Sequence, residues 1–407
     1  MKKKIFAVCV MLFLVGAMGL TGCGAILEDL NLTMESEGNT NAKQDFSATN
    51  ETEEPQIVTE FVLKHNKNTF AYDRLSDIEK IWYENINSVL AERSDVGIDL
   101  SAEGFEGGLT EESIDKIYNC VMVDHPEYFY VEGYEYTKYM QEEDVVGISF
   151  LGKYILSAKE CEKRKSEIED KAVEILSYAP VNGDDYDKIK YVYEYIIKET
   201  EYCLDAPDSQ NIYSVLINGQ SVCQGYAKTS QYLLNQLGVE ATIVYGGVGA
   251  EAHSWNLVKC NGEYYYVDVT WGDASYITNG KKMLNADAPY INYDYLCIPK
   301  VQIERTHVFD DIIPLPECVS MKDNYYVREG CYFETCDMEQ LEREMKEAFS
   351  SKQKMIMLKC ASPKVYFDLY TELLTNQKIF QYLPNEQSNI TYTEDKEYLT
   401  MTFWMTK

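Results

Sequence analysis

Positive charge is scarce in this chain. Only 37 Lys and Arg stand against 67 Asp and Glu in 407 residues, a formal net charge of −30, and a surface of that sign repels nucleic acid and an anionic bilayer. No nucleic-acid partner is expected. Histidine is scarcer still, at 4 residues, and no Cys-x-x-Cys or His-rich ligand spacing occurs, so neither a metal site nor any other cofactor is expected. No internal repeat is evident. The chain's long apolar run lies at the N-terminus, too short and too closely followed by small residues for an ordinary membrane span.

That run has the anatomy of a signal peptide over residues 1–22: Lys2 to Lys4 form a basic start, and an apolar stretch follows. Leu20-Thr21-Gly22-Cys23 resembles the bacterial lipobox, in which the cysteine is lipidated and the chain is cut before it. Cys23 would then carry a diacylglycerol, enough acyl chain to hold the protein to the outer side of the cell membrane. Residues 23–60 are rich in Glu, Asn, Thr and Ser with few large apolar groups, and so read as a flexible tether. Its r.m.s. reach would be roughly 30 Å. Of 12 cysteines, Cys9 and Cys23 belong to these segments and 10 remain. Several read as small core hydrophobes. Cys331 and Cys336 are near enough in sequence to pair, but nothing requires it.

Residues 61–179 read as an accessory α/β region. Helical spacing marks Asp77 to Arg93, Leu109 to Met122 and Ser157 to Tyr178, while Tyr128 to Tyr139 and Val145 to Leu156 alternate like strands. Residues 311–407 read as a small C-terminal α/β domain, with helices at Met338 to Phe349 and near Val365 to Asn376, and strands at Lys354 to Leu358, near Ile390 and at Tyr398 to Met405.

The chemistry lies between them, in residues 180–310. Ser221 is a good helix cap, Gln224 to Leu237 reads as an amphipathic helix, and Gly238 stops it. Cys223 thus falls in a first helical turn, where the helix dipole favours thiolate. Ala241 to Val248 reads as a buried strand, and His253 to Cys260 and Glu263 to Thr270 as a hairpin turning at Asn261-Gly262. That turn places Cys260 opposite Glu263, Trp255 opposite Asp268 and His253 opposite Thr270. His253 and Asp268 become diagonal neighbours on one face, close enough for an imidazole to meet a carboxylate.

A thiol at a helix end beside a His–Asp pair is the equipment of nucleophilic acyl transfer. Cys223 would attack a carbonyl, His253 would take and return the proton, and Asp268 would hold the imidazole tautomer. The Cys223 backbone N–H is a natural oxyanion donor, with Gln220 and Tyr213 as candidates for a second. Taken singly, such residues are more often structural, and His307 reads that way. It is the conjunction that carries meaning.

The segments SVCQGYA, AHSWNLV and YYYVDVTWGD resemble the core motifs of the transglutaminase-like superfamily, whose cysteine, histidine and aspartate match Cys223, His253 and Asp268. Gly225, Trp255 and Thr270-Trp271 fit the same pattern. The likeness extends upstream over Asp184 to Tyr202 and more weakly downstream to about Phe309. It implies an α+β class: a papain/transglutaminase-like core, with a Cys-bearing helix packed on an antiparallel sheet, and α/β accessory regions on both sides. It also implies a surface enzyme acting on peptide or amide bonds of a polypeptide or cell-wall peptide, with hydrolysis favoured slightly over cross-linking. The alternative is a non-catalytic scaffold or wall-binding lipoprotein that keeps the fold.

Overall fold

The Asn261-Gly262 turn folds as its residues require, with φ of 50° and 93°, the left-handed pair that a two-residue type I′ loop needs. Glu263 faces Cys260, and the strands Glu251–Cys260 and Glu263–Val267 pair as far as Val267 opposite Asn256. The ladder ends there. The expected pairs of Trp255 with Asp268 and His253 with Thr270 do not form, because Asp268 leaves the strand to cap a short helix, Val269–Gly272. His253 is paired instead on its other side, with Gly246.

The computed structural model describes residues 6–14, 34–35, 61–64, 68–273, 291–310, 312–351, 353, 355–383 and 389–404. The central sheet is antiparallel, in the order Glu263–Val267, Glu251–Cys260, Ala241–Val248 and His307–Phe309. It curls until its edges meet: Tyr266 on one edge strand and Phe309 on the other bring their rings to 5.1 Å. The curl depends on Gly246, where a Cβ would fall 1.9 Å from the Val308 carbonyl oxygen and 2.7 Å from the Trp255 ring. Gly246→Ala is therefore expected to force the His307–Phe309 strand away. A cost of about 3 kcal/mol and a melting temperature lower by roughly 10 °C should follow in a thermal melt.

The helix Cys223–Gln236 packs on the sheet, and Asn256 fixes it there by donating from Nδ2 to the Ala227 carbonyl at 2.9 Å. Its cap differs from expectation. Val222 is the N-cap, and Ser221 sits one residue too early; its hydroxyl instead donates to the Ser209 carbonyl at 2.7 Å and meets Ser214 Oγ at 2.6 Å. A preceding helix, Asp185–Glu199, joins the same core through Tyr193, which donates to the Asn292 carbonyl at 2.6 Å. Its cap region also holds the hairpin turn, since Asn261 N–H donates to Asp185 Oδ2 at 3.0 Å.

Upstream, helices Asp77–Glu92, Ser113–Asp124 and Ala158–Leu176 flank a hairpin of Val131–Gln141 and Asp144–Tyr154. This region is tied to the core by Gln231 of the cysteine helix, whose Nε2 donates to the Val123 carbonyl at 2.7 Å. Next to it the buried Asp124 carboxylate accepts from Ala71 N–H at 2.8 Å, Tyr72 N–H at 2.9 Å and Tyr83 Oη at 3.0 Å. Asp124→Ala should leave these donors short of an acceptor and cost several kcal/mol, on the scale of about 1–3 kcal/mol per unsatisfied group. A denaturant melt would show it as a lower midpoint.

The described residues of 61–320 form one compact unit and those of 321–404 another. In the second unit, helices Met338–Ser350 and Pro363–Tyr370 accompany a sheet ordered Tyr332–Phe333, Met355–Cys360, Thr400–Trp404, Asn389–Asp395 and Met34–Glu35. Cys331 and Cys336 are both free thiols. Within the expected signal peptide, Phe6–Leu14 is a strand antiparallel to Val131–Gln141. Cys23 and most of the expected tether lie outside the described residues. Among those described, no helix is long and apolar enough to cross a membrane.

Candidate active site

Three of the residues singled out in the sequence converge. Cys223, at the first turn of its helix, is 5% exposed, His253 in the middle strand is 5% exposed, and Asp268, at the end of the hairpin, is fully buried. His253 Nε2 and Asp268 Oδ2 are 2.7 Å apart. The Cys223 thiol is coupled electrostatically to the same imidazole, each favouring the charged form of the other. As Nε2 is engaged by the carboxylate, Nδ1 is the ring nitrogen open to sulfur.

Asp268 is saturated with donors. Its Oδ1 accepts from the backbone N–H groups of Thr270 at 2.9 Å and Trp271 at 3.1 Å, which begin the short helix. Its Oδ2 accepts from His253 and from a second imidazole, His307 Nε2, at 2.9 Å. An ionised carboxylate only accepts, so both rings must present Nε2–H to it. The proton positions of His253 and His307 follow from Asp268.

Charge is distributed accordingly. Burial opposes ionisation of Asp268, but the charge and hydrogen bond of His253, then those of His307, overcome it and hold the carboxyl well below the usual range. Burial likewise works against the His253 imidazolium, yet Asp268 and the Cys223 thiolate raise its pKa to about 10. For Cys223, burial pushes the thiol up, while hydrogen bonding to His253, the charge of His253, and contacts from Ser254 bring it below its ordinary value. Other thiols behave in the opposite way: burial pushes Cys120 and Cys360 up to about 12 and Cys318 to about 11.

These shifts bear on folding as well. A depressed Asp268 contributes stability above its unfolded pKa of roughly 4, lost as pH falls through its lower folded value; a raised His253 contributes fully below roughly 6.5, lost as pH rises toward its folded value. Stability of the unit should therefore decline from about pH 6.5 toward pH 10, the His253 value. The His253→Gln variant should show a flatter alkaline limb in melts recorded across that range.

The two other candidate donors are engaged elsewhere. Gln220 lies opposite Glu201 in a two-stranded pairing and donates to its Oε2 at 3.1 Å. Tyr213 donates to Glu167 Oε2 at 2.9 Å, with the Arg164 guanidinium 4.4 Å from its ring centroid. Their donors serve acidic partners on neighbouring elements. Two groups near the thiol escaped sequence reading: Ser254, which follows His253, and Tyr245, whose hydroxyl accepts from Gln224 Nε2 at 3.4 Å and whose burial raises its pKa to about 12.

His307, which reads from the sequence as structural, joins the same cluster. It belongs to the opposite edge strand, 39 residues beyond Asp268, and reaches the carboxylate only because the sheet curls. With His253 and Asp268 it forms a cluster of ligand-type atoms all within 4.8 Å of one another. The contacts of 2.7 and 2.9 Å are hydrogen-bond distances, shorter than the roughly 3.3 Å that separates donors around a tetrahedral zinc. The geometry is that of shared protons.

Residues 178–269 match the family model of the transglutaminase-like superfamily. Among curated proteins none matches significantly. Among solved structures, the crystal structure of a TGase aligns at 15% identity and a TM-score of 0.26, over 36% of this chain and 46% of that one. The periplasmic domain of TgpA from Pseudomonas aeruginosa aligns at 11% identity and a TM-score of 0.23, over 37% and 76% of the two chains. The chain thus spans less than half the length of the first of these. The match to the transglutaminase-like superfamily thus falls on residues 178–269, the stretch that holds Cys223, His253 and Asp268.

Proposed function

We propose that this protein is a cysteine acyl-transfer enzyme of transglutaminase-like type, acting on a peptide or amide bond of a polypeptide or cell-wall peptide outside the cell. The observation that supports it most is the buried His253–Asp268 pair, 2.7 Å apart, to which the buried Cys223 thiol is coupled electrostatically. A thiol lowered by that imidazole is a nucleophile ready before substrate arrives.

In this reading Cys223 Sγ attacks the substrate carbonyl carbon, and the negative charge moves to the carbonyl oxygen. The Cys223 N–H, in the first helical turn with no carbonyl a turn behind it, donates to that oxygen. Collapse of the intermediate breaks the C–N bond, and His253 passes its proton to the departing nitrogen, leaving a thioester. Water or an amine, deprotonated by His253, then attacks the thioester and releases Cys223. Asp268 keeps its charge throughout and stabilises the imidazolium. Hydrolysis is the favoured second step.

Incubation of the full chain with a glutamine-containing peptide and a labelled primary amine distinguishes the outcomes. Acid or ammonia release without incorporated label supports hydrolysis; robust labelling with no hydrolysis identifies a cross-linking enzyme instead. Loss of neither product in Cys223→Ala would contradict the mechanism.

The extracytoplasmic setting rests on the signal-like residues 1–22 and on Cys23. With lipidation there, the mature chain begins at Cys23, and Val131–Gln141 becomes an edge strand once Phe6–Leu14 is removed. Metabolic labelling with a fatty-acid probe tests the anchor: incorporation that disappears in Cys23→Ser supports it, and label retained in that variant does not.

A further inference from the structure

We propose that His307 is a positioning residue for this chemistry, the outer member of a relay that runs Cys223, His253, Asp268, His307, Thr306. The inference rests on the functional reading above and extends it to a residue outside the matched region 178–269.

Three observations carry it. First, His307 and His253 approach the same carboxylate atom, at 2.9 and 2.7 Å, from opposite strands of the curled sheet. With the Thr270 and Trp271 N–H groups on the other oxygen, the Asp268 carboxylate cannot swing off the His253 axis without breaking a buried bond. Second, the far nitrogen of His307 is itself held. Its Nδ1 lies 2.7 Å from Thr306 Oγ1, a hydrogen bond that fixes the ring about its Cβ–Cγ bond and leaves Nε2 directed at Asp268. Third, the ring is locked by packing: its side chain is fully buried, with Trp255 at 4.8 Å, Trp271 at 5.4 Å and Tyr295 at 6.1 Å between ring centroids. Besides Asp268, the titratable groups facing it are His253, at 5.3 Å between rings, and Tyr295.

A histidine needed only for packing could be replaced by another planar ring. This one makes a specific polar demand at each nitrogen, and one of them is on the orienting acid. Supporting partners of this kind hold a catalytic group within a few tenths of an ångström of productive geometry. Without His307, Asp268 loses a donor that favours its charged form, and the thiolate–imidazolium pair loses its anchor.

The test needs no knowledge of the substrate. The rate of Cys223 alkylation by iodoacetamide is followed by mass spectrometry of the full chain from pH 4 to 10, for wild type, His307→Phe and His307→Gln. The amide N–H of glutamine reaches as far as Nε2–H of histidine and can still donate to Asp268. His307→Phe should move the Cys223 profile to higher pH by about one unit, which slows alkylation roughly tenfold on the acid limb of the profile, the two being the same change. His307→Gln should stay within about threefold of wild type. A folded phenylalanine variant with the wild-type profile overturns the proposal, as does a folded glutamine variant displaced as far as phenylalanine. If His307→Phe does not fold, Thr306→Val replaces it: removal of the hydroxyl should shift the profile in the same direction, and no shift counts against the relay. Failure of the wild-type thiol to react at low pH would instead overturn the functional reading, and this inference with it.

Discussion

The Cys223→Ala protein is expected to fold, to melt within a few degrees of wild type, and to lose turnover of any amide substrate by about 10⁴-fold or more. The side chain removed is small and its thiol faces the imidazole, so little packing goes with it. What goes is the atom that would form the thioester in the proposed mechanism. No neighbouring group can replace it: Ser254 and Tyr245 carry hydroxyls nearby, but neither is bonded to His253 nor ionised near neutral pH. The imidazole also changes, since the thiolate is one of the groups that raise His253 toward 10, after Asp268. In the alanine variant the His253 titration, followed by NMR, should move down from the wild-type value. Turnover measured by release of amine or acid should fall to background. Residual activity within tenfold of wild type would place the nucleophile elsewhere.

Asp268→Asn should be nearly as severe, at roughly 10³–10⁴-fold in kcat, with a smaller change in KM. The reason is a proton in the wrong place. Asparagine can keep its carbonyl oxygen where Thr270 and Trp271 N–H donate, which turns its amide N–H groups toward the two imidazoles. Both rings must then accept at Nε2, and a neutral His253 that accepts there carries its proton at Nδ1, facing sulfur. It can no longer take the thiol's proton. The iodoacetamide profile of Cys223 should move toward that of an ordinary buried thiol, while the fold survives because every buried group still has a partner. Asp268→Ala, by contrast, leaves four donors without an acceptor and should destabilise the unit by several kcal/mol. The asparagine variant is therefore the informative one.

The parts of this site that were legible in the sequence are those fixed by local chemistry. Asn261-Gly262 dictates a tight turn, and the turn dictates which residues of the hairpin face one another as far as Val267. Helical spacing after Cys223 is unambiguous, so its place at a helix start could be read. The cap could not: Ser221 and Val222 differ by one position, and Ser221 is drawn off by Ser209 and Ser214, twelve and seven residues upstream. The end of the hairpin was misjudged because Asp268 is both a strand residue by pattern and an N-cap by chemistry, and its two backbone donors settle the matter. His307 was illegible for a different reason. Its role depends on the curl of a four-stranded sheet and on a glycine, Gly246, that lets the strand bearing it approach. Nothing in the residues around 307 announces that contact; only the rarity of histidine in the chain hints at it. Gln220 and Tyr213 show the converse. They were candidates for a second oxyanion donor, but their donors are engaged by Glu201 and Glu167.

The ten cysteines from Cys120 to Cys360 are free thiols, which makes the chain its own control for the central claim that Cys223 is an activated nucleophile. The full chain is treated with a limiting amount of iodoacetamide at pH 6, and labelled positions are quantified by peptide mass spectrometry, alongside His253→Ala. The expected result is label concentrated on Cys223 over the half-exposed Cys203 and Cys336, and lost from Cys223 when His253 is removed. Even labelling across the accessible thiols, or Cys223 labelling that is indifferent to His253, would contradict it.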